Sequence, residues 1–200
     1  MNGRSVTRIM ILALAAASLP RCDALAVEEA RYKVIQKSGT FELREYEPRI
    51  VAETVVEGGF EEAGDIGFKR LFGYISGDNV LKRPIPMTAP VNQEGEGNRW
   101  VISFVMPSEF TMENLPLPTD RSVVLRRIPP RMVAAISYSG TWKRSRSEEQ
   151  RGRLEDLIRK RGLRPAGEYI YARYDPPFKP WFLRLNEVLV TVEPANKEKP

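Results

Sequence analysis

Hydrophobic positions along this chain recur with two periods, and the change from one to the other marks the elements. Residues 40–46 and 50–57 are rich in β-branched and aromatic types and flank Glu47-Pro48, which predicts two strands around a turn, a hairpin that Gly58-Gly59 ends. From about residue 60 to 76 the period lengthens. Phe68, Leu71, Phe72 and Ile75 fall at i, i+3, i+4 and i+7, which places them on one face of a helix. Strands follow near 86–92 and 99–106, joined by the turn-forming residues 94–98. The same plan then returns, with strands at 122–128 and 132–139, a helix from about 145 to 161 whose apolar face is Leu154, Leu157 and Ile158, and strands near 168–174 and 187–192.

The return is a repeat of sequence as well as of pattern. At a spacing of 82 residues Arg44 meets Arg126, Pro48 meets Pro130, Arg49 meets Arg131, Val51 meets Val133, Ala52 meets Ala134 and Gly58 meets Gly140. Matched glycines and prolines in one register carry backbone geometry, so the chain reads as an internal duplication of a β-β-α-β-β unit, about 40–106 and 122–192. Residues 107–120, rich in proline and acid, form the linker. Strands joined by short turns pair antiparallel, and an amphipathic helix must cover a sheet face to bury its stripe. The expected fold class is therefore α+β, a pseudo-symmetric single domain.

Composition narrows the function. Arg4 and Arg8 precede the apolar run Ile9–Leu19, and Ala24-Leu25-Ala26 supplies small residues for cleavage, so residues 1–26 read as a signal peptide. The run is too short for the roughly 20 apolar residues of a spanning helix. Export is expected, to the periplasm in a Gram-negative host and otherwise by secretion, with no membrane span after cleavage. Cleavage would remove Cys22, the single cysteine, and leave 174 residues with no disulfide, no thiolate metal site and no cysteine nucleophile. The net charge of +5 falls to about +3 without Arg4, Arg8, Arg21 and Asp23, which argues against a nucleic-acid partner. The basic cluster Lys143-Arg144-Ser145-Arg146 lies beside Glu148 and Glu149, as on a solvated helix face. There is no histidine, which excludes Ser-His-Asp and Cys-His catalysis and histidine-built metal sites.

Particular motifs go further. The stretch from Phe68 to Val91, with its helix, the Gly77-Asp78-Asn79 break and Met87-Thr88-Ala89-Pro90-Val91, resembles the signature of the SOUL/haem-binding protein family. Tyr32-Lys33-Val34-Ile35 and Phe41 to Tyr46 resemble that family's opening strands. Tyr174-Asp175-Pro176-Pro177 and Arg184-Leu185-Asn186-Glu187-Val188 resemble its Tyr-x-Pro-Pro and Arg-x-Asn-Glu-Val elements. The resemblance implies a strongly curved, barrel-like antiparallel sheet flanked by two helices, related at fold level to the ligand-binding domains of multidrug-responsive regulators. It also implies a hydrophobic cleft, bordered by the first helix and the Met-Thr-Ala-Pro-Val strand, that is associated with haem and other tetrapyrroles.

A flat, largely apolar tetrapyrrole needs an apolar slot, cations for its propionates and, if iron is ligated, a donor atom. Phe68, Phe72, Ile75 and Met87 are candidates for the slot, against the alternative of plain core packing. Lys69, Lys82, Arg83 and Lys179 are candidates for the rim, against ordinary solvated charge. Met87 is the best-placed thioether and Tyr171 and Tyr174 are possible phenolates. Phe178, Trp181 and Phe182 form an aromatic run in a proline-rich loop that either meets ligand or closes the core. The reading is a monomeric binding protein, not an enzyme, that takes a small hydrophobic ligand reversibly and without histidine ligation. Two alternatives stand beside it: a binder of another lipophilic molecule, and a carboxylate-dependent hydrolase using Glu187, whose other reading is a structural acid paired with Arg184 or a backbone amide.

Overall fold

The computed structural model describes residues 27–195, so the predicted signal segment and Cys22 lie outside the described residues. Strand β1 (Glu28–Glu29) pairs with β5 (Thr88–Ala89) in a small parallel ladder. The remaining strands are β2 (Tyr32–Ser38), β3 (Phe41–Tyr46), β4 (Arg49–Glu57), β6 (Val91–Glu96), β7 (Arg99–Val105), β8 (Val123–Ile128), β9 (Arg131–Ser139), β10 (Leu163–Pro165), β11 (Ile170–Arg173) and β12 (Leu185–Pro194). They form one antiparallel sheet in the order β2-β3-β9-β12-β11-β6-β7-β4-β8, with β10 on β12. Helices α1 (Phe60–Ile75) and α2 (Arg144–Arg159) complete an α+β fold with a curled, half-barrel sheet.

The duplication is written into this order. If the two repeats are exchanged, β3 for β8, β4 for β9, β6 for β11 and β7 for β12, the sequence from β3 to β8 reads the same backwards. The pseudo-two-fold axis passes between β6 and β11, where Gln93 lies opposite Tyr171. Strands β3 and β8, and β4 and β9, keep the 82-residue spacing read from the sequence.

Two expectations need correction. The strand pairs predicted around Pro48 and Pro130 do not form, whereas those of β6 with β7 and of β11 with β12 do: β3 pairs with β9 and β4 with β8, so each repeat lends its first strand to the other. The turns explain it. A two-residue hairpin of type I′ or II′ needs a positive φ at its first loop residue, and type I′ needs a second at the next. Neither Glu47 nor Pro129 has one, and Pro48 and Pro130 are held at negative φ by their rings. The chain therefore turns a corner instead of reversing. True hairpins occur where glycine takes a positive φ, as at Gly39 between β2 and β3 and Gly97 between β6 and β7.

The second correction is the helix register. Buried positions Gly64, Gly67, Leu71 and Ile75 of α1 match Ser147, Gln150, Leu154 and Ile158 of α2, one residue further along than the 82 that relates the strands. Leu154 is thus equivalent to buried Leu71, not to Phe72. Both helices cover one face of the sheet over a single core built on Phe41, Leu71, Trp100, Ile102, Phe104, Leu154 and Val188. Smaller clusters on the opposite face gather Tyr46, Val133, Ala135, Ile170 and Leu189, and Val51, Val105 and Ile128. Among the described residues no helix is long and apolar enough to cross a membrane.

Candidate functional site

Helix α1 lies so close to the sheet in its middle that Gly67 leaves no room for a side chain. A Cβ on Gly67 would stand 2.2 Å from Ile102 Cγ1, and one on Gly64 would stand 2.8 Å from Gln93 Oε1 and 2.9 Å from both terminal nitrogens of Arg173. With that seam fixed, Phe68 and Phe72 fall on the helix flank. Their rings stack at 5.7 Å with a 13° interplanar angle, and Phe68 also meets Phe104 at 5.5 Å. They remain 37% and 49% exposed, unlike the rest of the apolar face.

Phe104 lies opposite Val91, the first residue of β6, and Val91 lies opposite Arg173, the last residue of β11. The Met87–Pro90 approach and the loop after Arg173 therefore leave the sheet from one end, beside the stacked pair. Met87 is half-buried against the core. The loop carries Phe178 at 88% exposure and Trp181 and Phe182 at 58% each, on a short 3-10 turn, Trp181–Leu183. Its base is anchored. Asp175 accepts bonds from Lys179 Nζ (2.7 Å) and the Leu185 amide (2.6 Å), Arg184 donates to the carbonyls of Lys179 and Pro177, and the Arg184 guanidinium lies 4.7 Å from the Trp142 ring centroid. The aromatic run does not close the core, and its side chains point to solvent from a braced loop.

Of the other predicted site residues, Lys69 and Lys82 are exposed. Arg83 is exposed too, with its guanidinium 5.6 Å from the Phe110 ring centroid, against the linker. Lys179 is committed to Asp175 and is not a free rim cation. Ile75 and Tyr171 are corrected outright. Ile75 is buried under the helix, and Tyr171 lies in the core with its ring edge-on to Phe60 at 5.2 Å. Burial raises the Tyr171 pKa, so its phenol stays protonated.

Tyr174 faces the other side of the sheet, in a network that sequence reasoning only partly foresaw. Glu187 Oε2 accepts from Arg44 Nη1 (2.8 Å) and the Tyr174 hydroxyl (2.6 Å), and Oε1 accepts from Arg44 Nη2 (2.6 Å). Arg44 also donates from Nε to Glu42 (2.8 Å), and its guanidinium stands 4.3 Å from the Tyr32 ring centroid. Burial opposes the Arg44 charge, but the Glu187 hydrogen bonds and charge outweigh it and raise the Arg44 pKa above its ordinary value. Burial, reinforced by the nearby Glu187 charge, raises the Tyr174 pKa far above a normal phenol. Neither tyrosine is then a phenolate. Glu187 is a structural acid as the alternative reading had it, but its partner is Arg44, supplied by the strand that the first repeat lends to the second. With both oxygens engaged, it is not free to act as a general base.

The donor set fits a tetrapyrrole held by apolar contact better than one held through iron. The chain has no histidine, both candidate tyrosines are protonated, and Met87 packs against the core. Among the described residues no cluster of three or more acidic or sulfur ligands could hold a metal ion.

A family model described as SOUL heme-binding protein matches residues 27–191. Human heme-binding protein 2 is 29% identical over 185 residues, covering 82% of this chain and 89% of that protein. Mouse heme-binding protein 2 is 28% identical over 165 residues, covering 74% and 80%. Among solved structures, the EcmrR C-terminal domain superposes with a TM-score of 0.62 at 11% identity, over 82% of this chain and 98% of that one, a likeness of fold.

Proposed function

The chain belongs to the SOUL heme-binding protein family, and from that premise we propose that it is an exported protein that binds haem or another tetrapyrrole reversibly. The proposed surface joins the stacked Phe68/Phe72 pair, Met87 and the Phe178/Trp181 loop, with exposed Lys69 on the same helix as a cation for a propionate and Lys82 and Arg83 beyond the helix end. Bound haem would supply the redox and ligand chemistry of its iron. The residues here would offer ring faces and cations, without a histidine ligand.

One observation carries this reading. In the helix register above, Phe68 and Phe72 are equivalent to Arg151 and Glu155 of α2, which form an i,i+4 ion pair at 3.0 Å on a half-buried flank, with Arg151 also over the Tyr169 ring at 4.4 Å. A position that the fold fills with charge in one repeat needs no aromatic pair in the other. The fold accepts either solution at this position, and a flat ligand is what two stacked, half-exposed rings suit.

Titration with haemin, iron-free porphyrin and a bile pigment tests it. Haemin and iron-free porphyrin should bind alike and quench tryptophan fluorescence, and Trp181→Phe should weaken the binding of both, because Trp181 is 58% exposed on the loop. A sharp six-coordinate spectrum abolished by Met87→Ala would overturn ligation-free binding. Absence of tetrapyrrole binding would leave another lipophilic ligand as the reading of this surface. Export is tested by sequencing the N-terminus of the protein from the cell envelope or medium, where cleavage after Ala26 is expected.

A further inference from the structure

The sheet face opposite the helices carries a second feature, independent of the proposed haem surface. Arg49 and Arg131 are repeat equivalents, each opening the longest strand of its own half before the final one, β4 and β9. These strands are five places apart in the sheet, yet both arginines line one recess with Tyr46, Asn92, Val133 and Leu189, because the sheet curls toward this face. The recess has a volume of about 20 Å³, enough for a single small group. Arg49 Nη1 and Arg131 Nε are buried without a hydrogen-bond partner, and neither residue makes a salt bridge among the described residues.

Two half-buried like charges with unused donors are costly unless something anionic answers them. Arg49 rests on the Tyr46 ring at 4.6 Å, which supports the guanidinium but accepts nothing from Nη1. Burial and the neighbouring Arg131 charge pull the Arg49 pKa down to about 10, and burial lowers that of Arg131. Glu94 is the one acid whose charge reaches both arginines, and its own pKa is raised by burial. The recess shares Ala30, Arg49 and Val105 with a cavity of about 360 Å³ whose apolar walls include Ile50, Met106, Pro107 and Phe110. The outer wall is electrically mixed, with Arg31 and Arg127 beside Glu28, Glu29 and Glu47. Two guanidinium groups face the single carboxylate of Glu94, so the excess positive charge comes from the inner arginine pair.

We propose that Arg49 and Arg131 together hold the carboxylate of a small amphipathic acid, whose apolar body occupies the adjoining cavity. The recess admits a carboxylate oxygen, and the guanidinium donors of Arg49 and Arg131 suit that group. The chamber, near the lower end of the volumes of ligand pockets, suits a body smaller than a tetrapyrrole.

Calorimetric titration of the full chain with octanoate tests this. Saturable binding is expected, at least tenfold weaker in Arg49→Met and in Arg131→Met and lost in the double variant. Octan-1-ol, with the tail but no charge, should bind at least tenfold more weakly than octanoate. Each variant should keep a native circular dichroism spectrum and a cooperative melt, so lost binding would not reflect unfolding. They should bind haemin as the wild type does, which separates this site from the proposed haem surface. No binding of octanoate, unchanged affinity in the variants, inorganic phosphate binding as tightly as octanoate, or displacement of octanoate by haemin would each overturn the assignment.

Discussion

The Arg44–Glu187 pair ties the two repeats together, and its removal can be predicted in magnitude. The side chains are 5% and 4% exposed, and the bidentate contact at 2.6 and 2.8 Å is the only one in which a guanidinium and a carboxylate are both enclosed among the described residues. Breaking a buried pair by deleting one partner costs about 3–5 kcal/mol, because the other charge is left in a poor medium. Glu187→Gln leaves Arg44 with Glu42, so the lower end applies, about 3 kcal/mol. Arg44→Met leaves Glu187 with only the Tyr174 hydroxyl, so about 4 kcal/mol is expected. For a domain of this size the first figure corresponds to a fall in Tm of about 6–12 °C. Replacing both, as Arg44→Met/Glu187→Leu, should cost less than the sum of the two single losses, since neither charge of the pair is stranded, although the Tyr174 hydroxyl loses its acceptor. Urea unfolding at pH 7 followed by tryptophan fluorescence, with m unchanged, gives the three values and their coupling. If Glu187→Gln costs less than about 1 kcal/mol, or the double substitution is simply additive, the pair is not the buried, interdependent unit described here.

Other consequences are local. Asp175 titrates below its ordinary 3.8: burial pushes it upward, but the Lys179 ammonium and the Leu185 amide together outweigh that. Its folded pKa is therefore depressed, so the anchoring of the aromatic loop is complete above about pH 4 and is lost as the pH falls through the lower folded value. Trp181 emission should change over that acid range, and Asp175→Asn should abolish the change. Gly67→Ala should destabilise by about 1–3 kcal/mol in a thermal melt although alanine is the better helix former, because its Cβ would overlap Ile102, and Ile102→Val should not recover the loss, since valine keeps the Cβ and both Cγ atoms that the new methyl meets. Asn79 is fully buried and bonds the carbonyls of Tyr74 and Arg83 and the Arg83 amide, so Asn79→Ala should lower stability by about 2–3 kcal/mol in urea unfolding.

How much of this was legible in the sequence depends on whether the cause was local. Strand alternation and the helical stripe are local signals, and β3, β4, β7, α1 and α2 fall within about two residues of their predicted bounds. The duplication was legible because proline and glycine hold their register. The strand exchange was also encoded, in Pro48 and Pro130, but as what those turns cannot do. The helix insertion was hidden, since Leu154 fits the stripe in either register and only burial decides. Partners across the sheet were out of reach. Arg44 and Glu187 are 143 positions apart, and nothing near either announces the other. For the same reason Arg49 and Arg131 could be recognised as repeats of each other but not as neighbours.

Duplication also supplies a control for function. Where both repeats hold the same buried residue type, the fold is reason enough; where one repeat is aromatic and the other charged at one half-buried position, the fold is satisfied by either. Phe68 and Phe72 against Arg151 and Glu155 are such a case, and the sharpest test transplants one solution into the other. The variant Phe68→Arg/Phe72→Glu recreates the α2 pair on α1. It forfeits the partial burial of two rings and the Phe68–Phe104 contact, and regains an i,i+4 ion pair of about 0.3–0.5 kcal/mol. The net change in urea unfolding should be no more than about 1–2 kcal/mol, with a native circular dichroism spectrum, while haemin affinity falls at least tenfold because the stacking surface is gone. A loss above about 3 kcal/mol would mean that the aromatic pair belongs to the core. A well-folded variant with unaltered haemin affinity would place the tetrapyrrole elsewhere on the molecule. Only a folded protein with weakened binding is compatible with rings that this repeat keeps for a ligand.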